Sequence, residues 1–189
     1  MKLLISNSTA SAKSFLDRIQ LVQGDIAQQK VDAICTVIPQ NLAFRGRLNE
    51  SLNQTCNGQL DAFILDNIFK PRAGEVYALP AFGLEARHIL VGVVPAYRTN
   101  FDMKESDLAG IVRKMMELAR CMLLSSIAVP PIMSGKKGFP KAKAARLICQ
   151  GVSERMQESF DEARIVCNDP QMIDIFTRKL EIIGWDGHA

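Results

Sequence analysis

Apolar positions along the chain follow two alternating periods. Short runs, several of them β-branched, occupy residues 2–5, 19–22, 31–36, 74–79, 88–94, 126–129 and 163–167. Near-continuous runs of this length suit strands covered on both faces. Between them lie stripes at i, i+3, i+4 and i+7, which is one face of a helix. Leu48 and Leu52 begin one such stripe, and Leu60, Phe63, Ile64 and Ile68 carry a second, with Gly58 separating two helices. Leu108, Ile111, Val112, Met115, Leu118, Ala119 and Met122 form the clearest, predicting a helix over 105–124 whose methionines fill core. Ala145, Ile148, Cys149, Val152 and Met156 predict another over 141–158. Asp169-Pro170 opens a last helix carrying Met172, Phe176 and Leu180. Turns are expected after residue 5, at Gly24-Asp25 and around Phe82-Gly83, and an irregular polar loop over 39–46.

Strand and helix alternate through the later half, which implies crossover connections and a parallel arrangement. The fold class predicted is α/β: a three-layer α/β/α sandwich with a mixed, largely parallel central sheet. No repeat, low-complexity tract or linker divides the 189 residues, so one domain over 1–189 is expected, monomeric and able to bury about 70% of its unfolded surface.

Composition changes this picture little: 48% hydrophobic and 23% charged residues are ordinary for a globular chain. A net charge of +3 is too small to mark a nucleic-acid or membrane binder, so any basic effect must be local. Five cysteines, an odd number with no CxxC pair, sit mostly in apolar patterns and read as reduced, buried thiols. Two histidines, His88 and His188, argue against a His-rich zinc site, and neither a metal nor a cofactor is expected. The opening MKLLIS is too short an apolar run for a signal peptide, and no run has the length of a membrane span. A cytoplasmic location is expected.

The stretch with the most chemistry is SIAVPPIMSGKKGFP, residues 126–140. A buried strand leads into a loop in which Gly135 and Gly138 flank Lys136 and Lys137, and Pro140 stands at the first position of a helix. Such a strand–loop–helix start aims backbone N–H donors and the positive end of a helix dipole at one point, which suits a phosphate. The spacing alone is equally that of an ordinary strand-to-helix connection with solvated lysines.

Taken together, four stretches resemble the macro domain, the ADP-ribose-binding module, over residues 19–180. They are Val22-Gln23-Gly24-Asp25-Ile26; Val31-Asp32-Ala33-Ile34; Gly74-Glu75-Val76 with Arg87-His88-Ile89-Leu90; and Ser126 to Pro130 followed by Ser134-Gly135-Lys136-Lys137-Gly138-Phe139-Pro140. The resemblance implies that Asp25, with Ile26 beside it, meets the adenine amine, although Asp after Gly is also a common turn residue. It implies that the backbone amides of Ser134, Gly135, Lys136, Lys137 and Gly138 hold a diphosphate. Phe139 packs near the distal ribose or belongs to the core. Asn168 stands where an aromatic often lies beside adenine.

The chain also departs from the family. Thr36-Val37-Ile38-Pro39 replaces Asn-Ala-Ala-Asn, so a ribose-directed asparagine becomes Pro39. Phe44-Arg45-Gly46-Arg47 keeps one glycine of a glycine run. Asn49 replaces the acidic residue of one hydrolytic branch and cannot act as a carboxylate base. The resemblance therefore implies binding of ADP-ribose or a related adenine nucleotide diphosphate, free or on an ADP-ribosylated protein, with no catalytic residue assigned. The alternatives are a hydrolase or phosphoesterase drawing on Glu50 or Arg45, and an RNA-binding or protein-interaction domain using Arg45, Arg47, Lys136 and Lys137 as a basic rim.

Overall fold

The computed structural model describes residues 15–43, 46–98, 102–136 and 138–187. The strand expected at residues 2–5 lies outside these residues, as do Phe44, Arg45, Lys137 and His188. Six strands form one sheet: β1 (Ile19–Gln23), β2 (Ala33–Pro39), β3 (Val76–Pro80), β4 (His88–Val94), β5 (Ser126–Val129) and β6 (Glu162–Cys167). Their order across the sheet is β1-β6-β5-β2-β4-β3, and every neighbouring pair is parallel except β3 with β4. Helices α1 (Arg47–Thr55) and α2 (Gln59–Asn67) follow β2. Helices α3 (Glu105–Cys121), α4 (Lys141–Ser153) and α5 (Pro170–Ile182) follow β4, β5 and β6.

Strand residues alternate between two cores because their side chains point to opposite faces. Cys35, Leu90, Ile127, Val129 and Ile165 join α3, α4 and α5 on one face. Ile34, Ile38, Ile89, Val91, Ala128 and Val166 join Leu52 of α1 and Leu60 and Ile64 of α2 on the other. The three-layer α/β/α sandwich expected from the sequence is the observed fold. Gly58, in the left-handed region at φ 78°, caps α2 where the break between helices was predicted. The Phe82-Gly83 turn holds both residues at positive φ, 49° and 86°.

Several boundaries differ for physical reasons. β2 starts at Ala33 rather than 31 and runs through Pro39, which was expected to open a loop. At its start, Asp32 lies outside the strand and ties it to β5: Oδ2 accepts from the N–H groups of Ser125 (2.9 Å) and Ser126 (3.2 Å). Burial opposes ionisation of Asp32, but these bonds outweigh it and hold its carboxyl below the usual range. At its end, the Gln40 N–H donates to Val94 O at 2.9 Å. By alternation the nitrogen of Pro39 points toward β5, whose pairing with β2 has stopped at Ile34, so the missing donor breaks no ladder bond. α4 ends at Ser153, five residues before the expected end, yet Met156 is still buried. Pro140 stands at the N-cap, one position before the helix. α3 ends at Cys121 rather than 124. Leu123, at φ 58°, donates its N–H to Arg120 O, and Leu124 donates to Ala119 O, closing the helix in a Schellman pattern.

Candidate functional site

The connections leaving the carboxyl ends of neighbouring strands diverge. β5 leads to α4 and β6 to α5 on one face, whereas β2 leads to α1 and β1 to the 3-10 turn Ile26–Gln28 on the other. In open parallel sheets ligands bind at the edge where such connections part. Asp25, Asn168, the 130–140 loop and the start of α1 all lie along this edge.

The loop after β5 is shaped by its own backbone. Phe139 N–H donates to Met133 O (2.7 Å) and Gly138 N–H to Gly135 O (2.8 Å). Met133 sits at φ 56°, and the Ser134 hydroxyl donates to Pro131 O. These bonds draw Gly138 and Phe139 back against Met133 and Gly135, closing a tight arch. The N–H groups of Ser134, Gly135 and Lys136 meet no acceptor among the described residues, whereas that of Gly138 closes the arch. Lys136 and Gly135 are exposed at its tip. Phe139 is 6% exposed and packs in the core beneath the loop with Ile132. Three adjacent backbone donors, an ammonium and the N-terminus of α4 together favour an anion.

Asp25 lies beyond β1 and Asn168 beyond β6, and the register pairs Gln23 with Cys167, so the two residues flank one another at the edge. Gly24 N–H donates to Cys167 O at 2.9 Å, fixing this junction. Asp25 caps the Ile26–Gln28 turn: its Oδ1 accepts from Ala27 N–H at 2.9 Å, while the residue stays exposed. The turn-residue role is thus present, and it engages only Oδ1 of the carboxylate among the described residues. Ile26 is buried among α1-side residues and supports the turn. Asn168 is exposed.

Other residues at this edge are not singled out by the sequence pattern. Gln29, 9% exposed, donates from Nε2 to Asp25 O (2.9 Å) and accepts at Oε1 from Arg164 (3.3 Å), which Glu162 holds in turn. Lys141 Nζ, at the start of α4, donates to Asp169 Oδ2 (2.8 Å) and Gln171 Oε1 (2.7 Å), tying the arch to the β6–α5 junction. The Lys141 ammonium and Gln171 N–H hold the Asp169 carboxyl below its usual range. Both links join residues far apart in the chain, so no local spacing announces them.

On the β2 side, Asn49 is engaged at both ends of its amide. Thr36, 1% exposed, donates its hydroxyl to Asn49 Oδ1, and Asn49 Nδ2 donates to Val37 O at 2.9 Å. Glu50 is exposed in the first turn of α1, and Arg47 is exposed beside it. Among the described residues no group of three or more His, Cys, Asp and Glu side chains could hold a metal ion, and no helix is long and apolar enough to cross a membrane.

The chain as a whole is similar to known proteins. A macro domain-containing protein of Listeria monocytogenes is 29% identical over 167 residues, 85% of this chain and 95% of its own length. The O-acetyl-ADP-ribose deacetylase of Salmonella newport is 28% identical over 174 residues, 89% of this chain and 97% of its own. Among solved structures, the Oceanobacillus iheyensis macrodomain with ADP superposes with a TM-score of 0.73 at 25% identity, covering 87% of this chain and 90% of that one. The macro domain profile matches residues 41–148, more than half of the sequence, and includes the loop after β5. The chain belongs to the macro domain family.

Proposed function

We propose that the carboxyl edge of the sheet binds ADP-ribose or a closely related adenine nucleotide diphosphate and holds it without turnover. The observation that carries this reading is the arch over 133–139, whose Ser134, Gly135 and Lys136 N–H groups face no acceptor among the described residues. A diphosphate satisfies such donors with charge-assisted bonds, each stronger than a neutral one. Lys136 adds a positive charge, and the exposed Asp25 carboxylate is a suitable acceptor for an exocyclic amine. The ADP bound by the Oceanobacillus relative and the substrate named for the Salmonella relative are of the same chemical class.

Asn49, which the resemblance puts in place of the acidic residue of one hydrolytic branch, supports the reading without turnover. An amide has no basic lone pair to accept a proton at neutral pH, and both ends of this one are committed to β2. The second reading, hydrolysis of an ADP-ribose ester, is favoured by the deacetylase relative. Titration calorimetry with ADP-ribose tests binding: one saturable site is expected, and no heat at millimolar concentration contradicts it. Incubation with O-acetyl-ADP-ribose separates the two readings, since acetate released above the uncatalysed rate establishes the enzyme.

A further inference from the structure

Helix α2 is apolar on two sides. Leu60 and Ile64 are buried against the sheet, and Ile68, at the C-cap, joins them. At about 100° per residue, Ala62 and Leu65 come out on the opposite side. Both are exposed, Leu65 by 54%. Phe69, two residues past the helix, is 77% exposed and is the one exposed aromatic among the described residues. A helix face turned to water ordinarily carries polar residues. Exposed apolar side chains standing singly are common, whereas Leu65 and Phe69 with Ala62 group on one side, as patches covered by a partner do.

The charges beside this patch decide what covers it. Asp66 follows Leu65 and Lys70 follows Phe69, and both are exposed. Neither forms an ion pair among the described residues. The helix stops at Asn67, and Lys70 stands in the left-handed region at φ 47°, so the pairing at i, i+4 that a continued helix would give is not made. A second α2 laid antiparallel across a two-fold axis near Ile68 sets Leu65 beside the partner's Phe69 and Asp66 beside the partner's Lys70. Symmetry repeats each contact. A parallel arrangement would instead oppose Asp66 to Asp66 and Lys70 to Lys70, which like-charge repulsion disfavours.

We infer that the outer face of α2, with Phe69, is an isologous interface between two copies of this chain, packed antiparallel. The sequence alone suggested a monomer. Two large apolar side chains from each copy are few beside the 20 to 30 residues that a stable interface takes from each partner, so the dimer is weak, with a dissociation constant on the order of 100 µM. The inference does not depend on the nucleotide-binding reading.

Analytical ultracentrifugation of the full chain, from about 10 µM to about 1 mM, tests this. The average mass is expected to rise with concentration from the 20.9 kDa of one chain toward that of two. Asp66→Lys and Lys70→Asp should each raise the dissociation constant about tenfold or more, since each turns two attractive pairs into two repulsive ones. Lysine suits a helix C-terminus and aspartate tolerates the left-handed region, so both variants are expected to fold. Mixed in equal amounts, the two variants should associate about as tightly as the wild type, because each reversed charge then faces its opposite. Phe69→Ser should weaken the dimer without a change in the thermal melt. A single mass at every concentration overturns the inference. Association that Phe69→Ser leaves unchanged overturns it as well, by placing the contact elsewhere. Charge variants that fail to recover on mixing overturn the antiparallel pairing. Should a charge variant not fold, the wild type against Phe69→Ser decides.

Discussion

A Cβ built on Gly138 would lie 2.1 Å from Met133 O and 2.5 Å from Met133 C. Both are backbone atoms, held in place by the Phe139 N–H bond to the same carbonyl. No side-chain motion relieves that contact, so the arch closes only over glycine. Gly138→Ala is therefore expected to lower stability by about 1–3 kcal/mol, as overpacking does. It should also weaken ADP-ribose binding by about tenfold or more through displaced N–H donors. A thermal melt and a titration check both. At Gly135 nothing lies within 4 Å of the added Cβ, so Gly135→Ala should stay within about 0.5 kcal/mol of the wild type in stability.

The C-terminus of α3 carries a different backbone cost. Leu123 holds a left-handed conformation at φ 58° and is 91% exposed, so its side chain contributes little packing. Glycine at this position removes a penalty of about 1–2 kcal/mol and returns part of it as unfolded-state entropy. Leu123→Gly is expected to stabilise the domain by about 0.5–1 kcal/mol. Urea denaturation measures it, and a lower midpoint contradicts the assignment of strain to this residue.

Asp32 links the beginnings of β2 and β5 through its bonds from Ser125 and Ser126. Its carboxyl titrates below the ordinary value in the folded protein, so its contribution is complete above the unfolded value of about 4. That contribution is lost as pH falls through the lowered folded value. At pH 7, Asp32→Asn should cost about 1–2 kcal/mol, mainly from weaker hydrogen bonds to an uncharged acceptor. The gap between wild type and variant should narrow steadily below about pH 4. A gap independent of pH would contradict the ionised role.

Cysteine chemistry distinguishes Cys121 from the others. Cys35, Cys56, Cys149 and Cys167 are buried, and Cys121 is exposed. Burial pushes the Cys149 and Cys167 thiols up to about 12, so thiolate is scarce at neutral pH. Native protein should take up one equivalent of maleimide at pH 7.5 and denatured protein five, by intact mass.

The fold was legible in the sequence where local pattern and tertiary burial agree. β4 and β5 have the limits that their apolar runs predict, and α3 buries Leu108, Ile111, Val112, Met115 and Ala119 as its stripe requires. Boundaries fail where a long-range partner sets them. Pro39 reads locally as a breaker, yet Val94 extends the ladder past it. The Gly135–Gly138 spacing suits an anion loop and an ordinary strand-to-helix connection equally, and it does not say which amides are left without an acceptor. That depends on the Met133 carbonyl, which takes the Phe139 N–H, and on Gly135, which takes that of Gly138. Likewise, only the resemblance implies that Asn49 stands in place of a carboxylate. Its engagement by Thr36 and Val37 emerges only when α1 docks on β2.

The most direct test of the nucleotide site is an amide-resolved NMR titration with ADP-ribose. The largest shifts are predicted at the N–H groups of Ser134, Gly135 and Lys136, with a second group at Asp25 and Asn168. Shifts confined to the opposite edge, around Ser125 and Ser126, or no shift at saturating ligand, would contradict the account.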